Sequence, residues 1–187
     1  MAPALKNDCK SLLRNKLRAC LAAIPLPERR KKSLVVCARL WRSDFVQEAR
    51  AILIYAARKD ELDTRPLIRR LLHQGKTVYI PRVSPRGVLL YRIHDFKKDL
   101  RPGIYGILEP RPHQVRRGQV RHLDLAIIPG LGFTAGGVRL GRGGGHFDRL
   151  LAHAPHVVKI GVGFREQLLK KIPAMPHDVR MNFIVTD

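Results

Sequence analysis

The sequence predicts a three-layer α/β/α fold built around a mostly parallel sheet. Three observations carry this reading. Short apolar runs of strand type recur along the chain, and segments with apolar residues at helical spacing lie between them. The two kinds alternate, as they do where helices cover both faces of a parallel sheet. A glycine-rich turn, residues 141–145, stands between one such run and the next helix. The 187 residues fit one domain, 1–187, large enough for a substantial core.

The elements follow in order. Leu5, Cys9, Leu12, Leu13, Leu17, Cys20, Leu21 and Ile24 recur at helical spacing and predict a helix over 4–24, which Pro25 and Pro27 end. A second helix is expected over 28–48, with Leu34, Cys37, Trp41 and Phe45 on one face. "AILIYA" (51–56) reads as a strand. "DTRPLIRRLLHQG" reads as a helix, with Asp63 or Thr64 as N-cap and Gly75 as its stop. "TVYIP" (77–81) and "VLLYRI" (88–93) are the next strands. Residues 94–122, rich in Pro, Gly and Arg, have weak periodicity and read as loops with short elements. "DLAIIPG" (124–130) is a buried strand, and a helix follows the glycines over 146–153. "VVKIGVG" is a strand, "REQLLKKI" a helix and "NFIVTD" a closing strand.

Composition narrows the class. No run approaches the roughly 18 apolar residues of a membrane span. "MAPALKNDCKSLLR" has no apolar signal core and reads as mature sequence. Cys9, Cys20 and Cys37 are odd in number and form no CxxC pair, so neither a disulfide framework nor a zinc site is expected. All three fall on apolar faces of expected helices, and free thiols fit a reducing cytoplasm. Charge is the unusual feature: 36 Lys and Arg against 15 Asp and Glu give a formal net of +21. Such a chain attracts polyanions, so the substrate could be anionic or nucleic acid a partner. The cations are scattered, and the densest block, "ERRKK" (28–32), lacks the interleaved aromatics of a base-stacking surface.

The chemistry concentrates in "RLGRGGGHFDRLL" (139–151). Gly141, Gly143, Gly144 and Gly145 follow a strand and precede a helix. Glycine lets main-chain N–H groups approach a ligand closely, and successive N–H groups at a helix start attract anions. Arg139 and Arg142 add charge-assisted donors for phosphate oxygens. Asp148 has the chemistry to hold Mg²⁺ beside that phosphate. The spacing is neither GxxxxGK[ST] nor GxGxxG. Two readings follow, a turn built for packing or a phosphate cradle.

"PGLGFTAGGVRLGRGGGHFDRLL" closely resembles the signature of the 5-formyltetrahydrofolate cyclo-ligase (methenyltetrahydrofolate synthetase) family, P-G-x-x-F, a short turn, then R-L-G-x-G-x-G-Y-Y-D. "KSLLRNKLR", "YAARKDELDT", "IPRV", "YGILEP" and "HDVRMNFIVT" also have family counterparts in the same order. The resemblance implies a NagB/RpiA/CoA-transferase-like version of the α/β/α fold. It implies ATP- and Mg²⁺-dependent closure of 5-formyltetrahydrofolate to 5,10-methenyltetrahydrofolate. By position, Lys10, Arg14, Arg139, Leu140, Gly141, Arg142, Gly143, Gly144, Gly145, His146 and Phe147 match residues that bind ATP. Tyr55, Ala56, Glu61, His146 and Phe147 match the folate side, and Asp148 and Asp178 the acids associated with Mg²⁺. A carboxylate such as Glu61 suits the N–H donors of a pterin.

Three positions depart from the family pattern. His146-Phe147 stand for the usual Tyr-Tyr, Gly144 for a lysine found in some members, and Asn182 for a frequent aspartate. Two other readings stay open: a basic nucleic-acid- or ribosome-associated protein on a non-catalytic version of the fold, and a related ATP-dependent ligase with a different substrate.

Overall fold

The computed structural model describes residues 3–84, 87–103 and 106–187, the side chains of residues 3–7 excepted. The side chain of Leu5 and Tyr105 of the "YGILEP" segment lie outside the described residues. Among the described residues five α-helices are formed: α1 (Pro3–Ala23), α2 (Leu26–Arg42), α3 (Asp44–Glu48), α4 (Arg65–His73) and α5 (His146–Ala152). The longer strands are β1 (Ala51–Ile54), β2 (Thr77–Ser84), β3 (Gly87–Ile93), β7 (Leu125–Pro129) and β10 (Val158–Val162). Short strands complete the set: β4 (Leu100–Pro102), β5 (Leu108–Pro110), β6 (Arg117–Gly118), β8 (Gly132–Phe133), β9 (Arg139–Leu140) and β11 (Phe183–Val185).

The main sheet has seven strands in the order β11-β10-β7-β1-β2-β3-β6. The five from β11 to β2 run parallel, and β3 and β6 add antiparallel partners at one edge. Strand pleating sends alternate residues to opposite faces. Ile52, Ile54, Leu125 and Ile127 therefore join one core with Leu17, Leu21, Val36, Leu40, Leu67 and Leu71 of α1, α2 and α4. Leu53, Ala126 and Ile128 join the other with Leu150 and Leu151 of α5. The expected three layers are present, and among the described residues α5 is the helix that supplies the second face.

The structure corrects several element boundaries. The helix expected over 28–48 divides at Ser43, whose Oγ donates to Leu40 O (2.7 Å) and accepts from Val46 N (3.4 Å). A serine that bonds its own backbone ends one helix and caps the next. The inward stripe of α2 is Ser33, Val36, Cys37 and Leu40, while Leu34 and Phe45 are 57% and 39% exposed. Ser33 takes a buried position because its hydroxyl donates to Arg29 O (2.7 Å) and accepts from Asp63 N (3.0 Å). Cys37 is buried as expected, but Cys20 is exposed.

The expected helix over 165–172 is only a 3₁₀ turn, Arg165–Gln167. Two bonds draw the chain elsewhere. Gln167 Nε2 donates to Gly130 O (2.6 Å), and Leu169 N donates to Phe133 O (2.8 Å). A bridge to β8 replaces the next helical turn. Residues 94–122 hold the β4–β5 pair and β6, in keeping with short elements among loops. Thr64 occupies the N-cap of α4, but Asp63 Oδ1 does the capping by accepting from Arg65 N (3.0 Å). Thr64 Oγ1 instead donates to Tyr55 O (2.6 Å), fixing the chain just beyond β1.

Candidate active site

Parallel strands with helical crossovers leave a crevice where the chain changes direction across the sheet. Here β1 leads rightward to β2, while β7, on its other side, leads away to β10 and β11. Past the carboxyl ends of β1 and β7 lies a cleft of about 430 Å³. Tyr55, Ala56 and Glu61, after β1, form one wall. Arg139, Gly141, Arg142, Gly144 and Gly145 also line the cleft, with His146, Phe147 and Asp148.

The glycine loop is held at both ends. Leu140, nearly fully buried on β9, anchors its start, so this residue belongs to the core and not to the cleft lining. Gly143 (φ 113°) and Gly145 (φ 61°) are left-handed, a conformation that costs any side-chain-bearing residue energy. Gly145 is also the N-cap residue of α5. A Cβ at Gly144 would stand 2.6 Å from His146 Nε2.

Each cation has a defined partner. Arg139, buried, donates from Nη2 to Asp148 Oδ2 (2.7 Å) and from Nη1 to Pro129 O (3.3 Å), while its buried Nε has no partner. Its guanidinium carbon lies 5.7 Å from the Phe147 ring centroid, within cation–π range. Arg142 crosses the cleft: Nε donates to Glu61 Oε1 (3.1 Å) and Nη2 to Asp60 Oδ2 (2.8 Å). α1 flanks the loop. Its Arg14 Nε donates to Gly141 O (2.9 Å), and its Lys10 Nζ donates to Asp178 Oδ2 (2.5 Å). Lys10, Arg14, Gly143 and Asp178 therefore stand beside the cleft, outside its lining.

Burial pushes the Glu61 carboxyl up; the Arg58 N–H and the Arg142 guanidinium oppose that rise. Burial lowers the Arg14 guanidinium, assisted by Arg18. Burial also acts to lower Arg142, but Glu61 and Asp60 outweigh it and hold it above its ordinary value. Tyr55 is buried and its hydroxyl donates to Leu62 O (3.0 Å). Burial, then Glu61, raises the phenol well above its ordinary value, so it stays neutral. Asn182 Oδ1 accepts from Lys159 N (2.8 Å), and Asn182 N donates to Lys159 O (2.8 Å). The amide at this position thus joins β10 to the closing segment.

Sequence reasoning missed part of the wall. Arg58, Pro81, Val83, Leu108 and the Arg82–Glu109 ion pair (3.2 Å) also line the cleft. Leu108 and Glu109 belong to "YGILEP", a segment whose family likeness was visible but whose weak periodicity assigned them no place in the site. Among the described residues, no group of three or more His, Cys, Asp or Glu side chains gathers to hold a metal, and no helix is long and apolar enough to cross a membrane.

Fold and cleft define an α/β protein whose site pairs a buried carboxylate with an arginine-flanked glycine loop at a sheet switch point. The sequence profile of the 5-formyltetrahydrofolate cyclo-ligase family matches residues 6–187. The chain belongs to that family. It is 29% identical over 196 residues to the 5-formyltetrahydrofolate cyclo-ligase of Mus musculus, covering 99% of this chain and 97% of the relative. It is 33% identical over 142 residues to the Escherichia coli 5-formyltetrahydrofolate cyclo-ligase, covering 74% and 78%. The NMR structure of Aquifex aeolicus 5,10-methenyltetrahydrofolate synthetase superposes with a TM-score of 0.83 at 30% identity, covering 94% of this chain and 88% of that one.

Proposed function

We propose that the chain closes 5-formyltetrahydrofolate to 5,10-methenyltetrahydrofolate at the expense of ATP, as one catalytic unit over residues 1–187 acting in the cytoplasm. The observation that carries this is the Arg142 bridge. It ties the loop proposed for the triphosphate to Glu61, proposed for the pterin, across a single cleft. Family membership supports the same reading.

A formamide oxygen is a poor leaving group. In the proposed course it attacks the γ-phosphorus of ATP and ADP departs. N10 then adds to the formyl carbon and loses its proton, and the phosphorylated oxygen leaves as inorganic phosphate. The protein must hold the two substrates in near-attack geometry and neutralise charge on the transferring phosphoryl group. The glycine amides, with Arg139 and Arg142, are proposed to hold the triphosphate, and Lys10 and Arg14 to steady it from α1. Glu61 is proposed to accept from the pterin, with Tyr55, Ala56 and Phe147 shaping its pocket.

The donor set fits Mg²⁺. Such an ion takes most ligands from water and phosphate and needs only one or two carboxylates. Asp148 lies in the cleft lining and Asp178 next to Val179, whose N–H donates to Asp148 Oδ1 (3.3 Å). When bound, the ion would neutralise phosphate charge; Arg139 and Lys10 meanwhile hold the two acids in place through their ion pairs. The test is turnover with Mg-ATP and 5-formyltetrahydrofolate, followed by the absorbance of the methenyl product. No turnover by the folded protein, with no binding of either substrate, would overturn the proposal.

A further inference from the structure

Beside the cleft, outside its lining, stands an arginine unlike Arg139 and Arg142. Arg149 lies on α5 three residues after His146, so both project from the same side of the helix. Its Nη2 donates to Gly144 O (2.8 Å) and stands 3.2 Å from His146 Nδ1. Its Nη1 is 2.9 Å from the place a Cβ on Gly145 would occupy, so the guanidinium folds back against the turn. Arg139 and Arg142 are neutralised by Asp148, Asp60 and Glu61. Among the described residues, no carboxylate forms an ion pair with Arg149. It is exposed and carries an uncompensated charge beside the glycines.

Two consequences follow from elementary chemistry. A guanidinium has donors only, so His146 Nδ1 must be the acceptor, and the neutral ring then carries its proton on Nε2. A trans peptide sends its C=O and N–H in opposite directions. With Gly144 O held by Arg149, the N–H of Gly145 points away from that side chain, which itself lies outside the cleft lining. His146, Gly144 and Gly145 do line the cleft.

We propose that Arg149 is a positioning residue for the bound polyphosphate: it fixes His146 as an Nε2–H donor, orients the Gly145 amide and adds a positive charge beside the loop that no carboxylate pairs. The ring of His146 lies where a side chain on Gly144 would have to stand, so Gly144, His146 and Arg149 work as one unit. This inference rests on the ATP reading above, and its test separates the two.

The test uses calorimetric titration of the full chain with Mg-ATP, with inorganic tripolyphosphate and with 5-formyltetrahydrofolate, alongside ¹⁵N NMR of the His146 ring. Wild-type His146 is expected to show an unprotonated Nδ1 and a protonated Nε2. Arg149→Ala is expected to lose about tenfold or more in ATP and tripolyphosphate affinity, through the loss of an oriented donor and of one nearby positive charge, with folate affinity little changed. The ring should also become a mixture of tautomers. Arg149→Lys, which keeps the charge but cannot span both acceptors, is expected to fall between. Wild-type ATP affinity in Arg149→Ala, with that variant folded and its tautomer unchanged, would overturn the inference and leave the ATP reading standing. Tripolyphosphate binding that depends on Arg149, without ATP binding, would support the inference and sink the nucleotide reading. Binding of neither polyanion by the wild type would overturn both.

Discussion

Replacing Glu61 by glutamine is expected to weaken 5-formyltetrahydrofolate binding about a hundredfold and to leave ATP binding near wild type. The magnitude follows from the carboxylate's surroundings. Glu61 Oε1 already accepts from Arg142 Nε (3.1 Å) and Oε2 from Arg58 N (3.0 Å). Each oxygen keeps one further acceptor direction for a pterin N–H. In glutamine one of the two becomes an NH₂ group, which faces a donor whichever way the amide turns. One charge-assisted bond is lost and a donor–donor conflict appears, about 3 kcal/mol together, or about a hundredfold in Kd. Calorimetric titration with each substrate separately measures it. A folate Kd close to wild type would refute the role of Glu61. The pH dependence adds an independent check. Burial raises the folded-state carboxyl above the ordinary glutamate value. The folded protein therefore binds this proton at higher pH than the unfolded chain, and Glu61's contribution to stability falls as pH rises through that window. Folate affinity should move the opposite way, falling as acidification removes the acceptor. In Glu61→Gln both trends should flatten. If affinity and stability rise and fall together in the wild type, the reasoning fails.

Other perturbations test the frame around the site. Gly137 has φ 81°, and a Cβ there would lie 2.2 Å from Met181 O, a backbone atom. Gly137→Ala should therefore cost about 3 kcal/mol or more in urea denaturation, against about 1 kcal/mol for Gly75→Ala, which has a positive φ but open space. Arg139→Ala should cost about 3 kcal/mol of stability by leaving Asp148 beside an empty buried site, and should weaken ATP binding more than folate binding. Arg139→Lys should recover little, since a lysine cannot reach Asp148 and Pro129 O with the same planar fork. Burial raises the Cys37 thiol to about 11, so mass analysis after mildly alkaline alkylation should show Cys20 modified first and Cys37 last.

The strand-type runs were legible because strands buried on both faces need apolar residues throughout. β1, β7 and β10 lie within the runs that named them. What misled the reading was polar residues bonding their own backbone. Ser43 divides a continuous helical period, and Ser33 takes an inward place that spacing gave to Leu34. Gln167 and the bridge from Leu168 to Phe133 override an amphipathic pattern over 165–172, a tertiary pairing that no local window contains. The site divides in the same way. Its loop was visible because left-handed turns demand glycine, here at Gly143 and Gly145. Its distant partners were not, since nothing local relates Arg142 to Asp60 or Lys10 to Asp178. Leu140 entered the ligand set by its place in the motif; its side chain is buried and pegs the loop to the core.

The net charge of +21 gains a physical meaning from where the few acids stand. Of the 15 carboxylate side chains, Glu61, Glu109 and Asp148 line the cleft, and Asp60 and Asp178 pair with cations at its edge. These five acids hold arginines and a lysine that would otherwise repel one another inside a small volume. Each such cation is held in position before any ligand arrives, which lowers the reorganisation that binding requires. Among the described residues, most of the other lysines and arginines are exposed, and their summed field extends outward. A triphosphate and a folate carboxylate are both anions. On the proposed function the outer charge draws them toward the molecule, while selection falls to the paired groups within. The same field would also attract nucleic acid, but a 430 Å³ cleft at the strand ends is shaped for a small molecule. Outer charge acting by attraction alone is screened by salt over about a Debye length, roughly 8 Å at physiological ionic strength. The contacts inside the cleft are shorter than that, so added salt should lower the association rates of both substrates far more than it raises their dissociation rates.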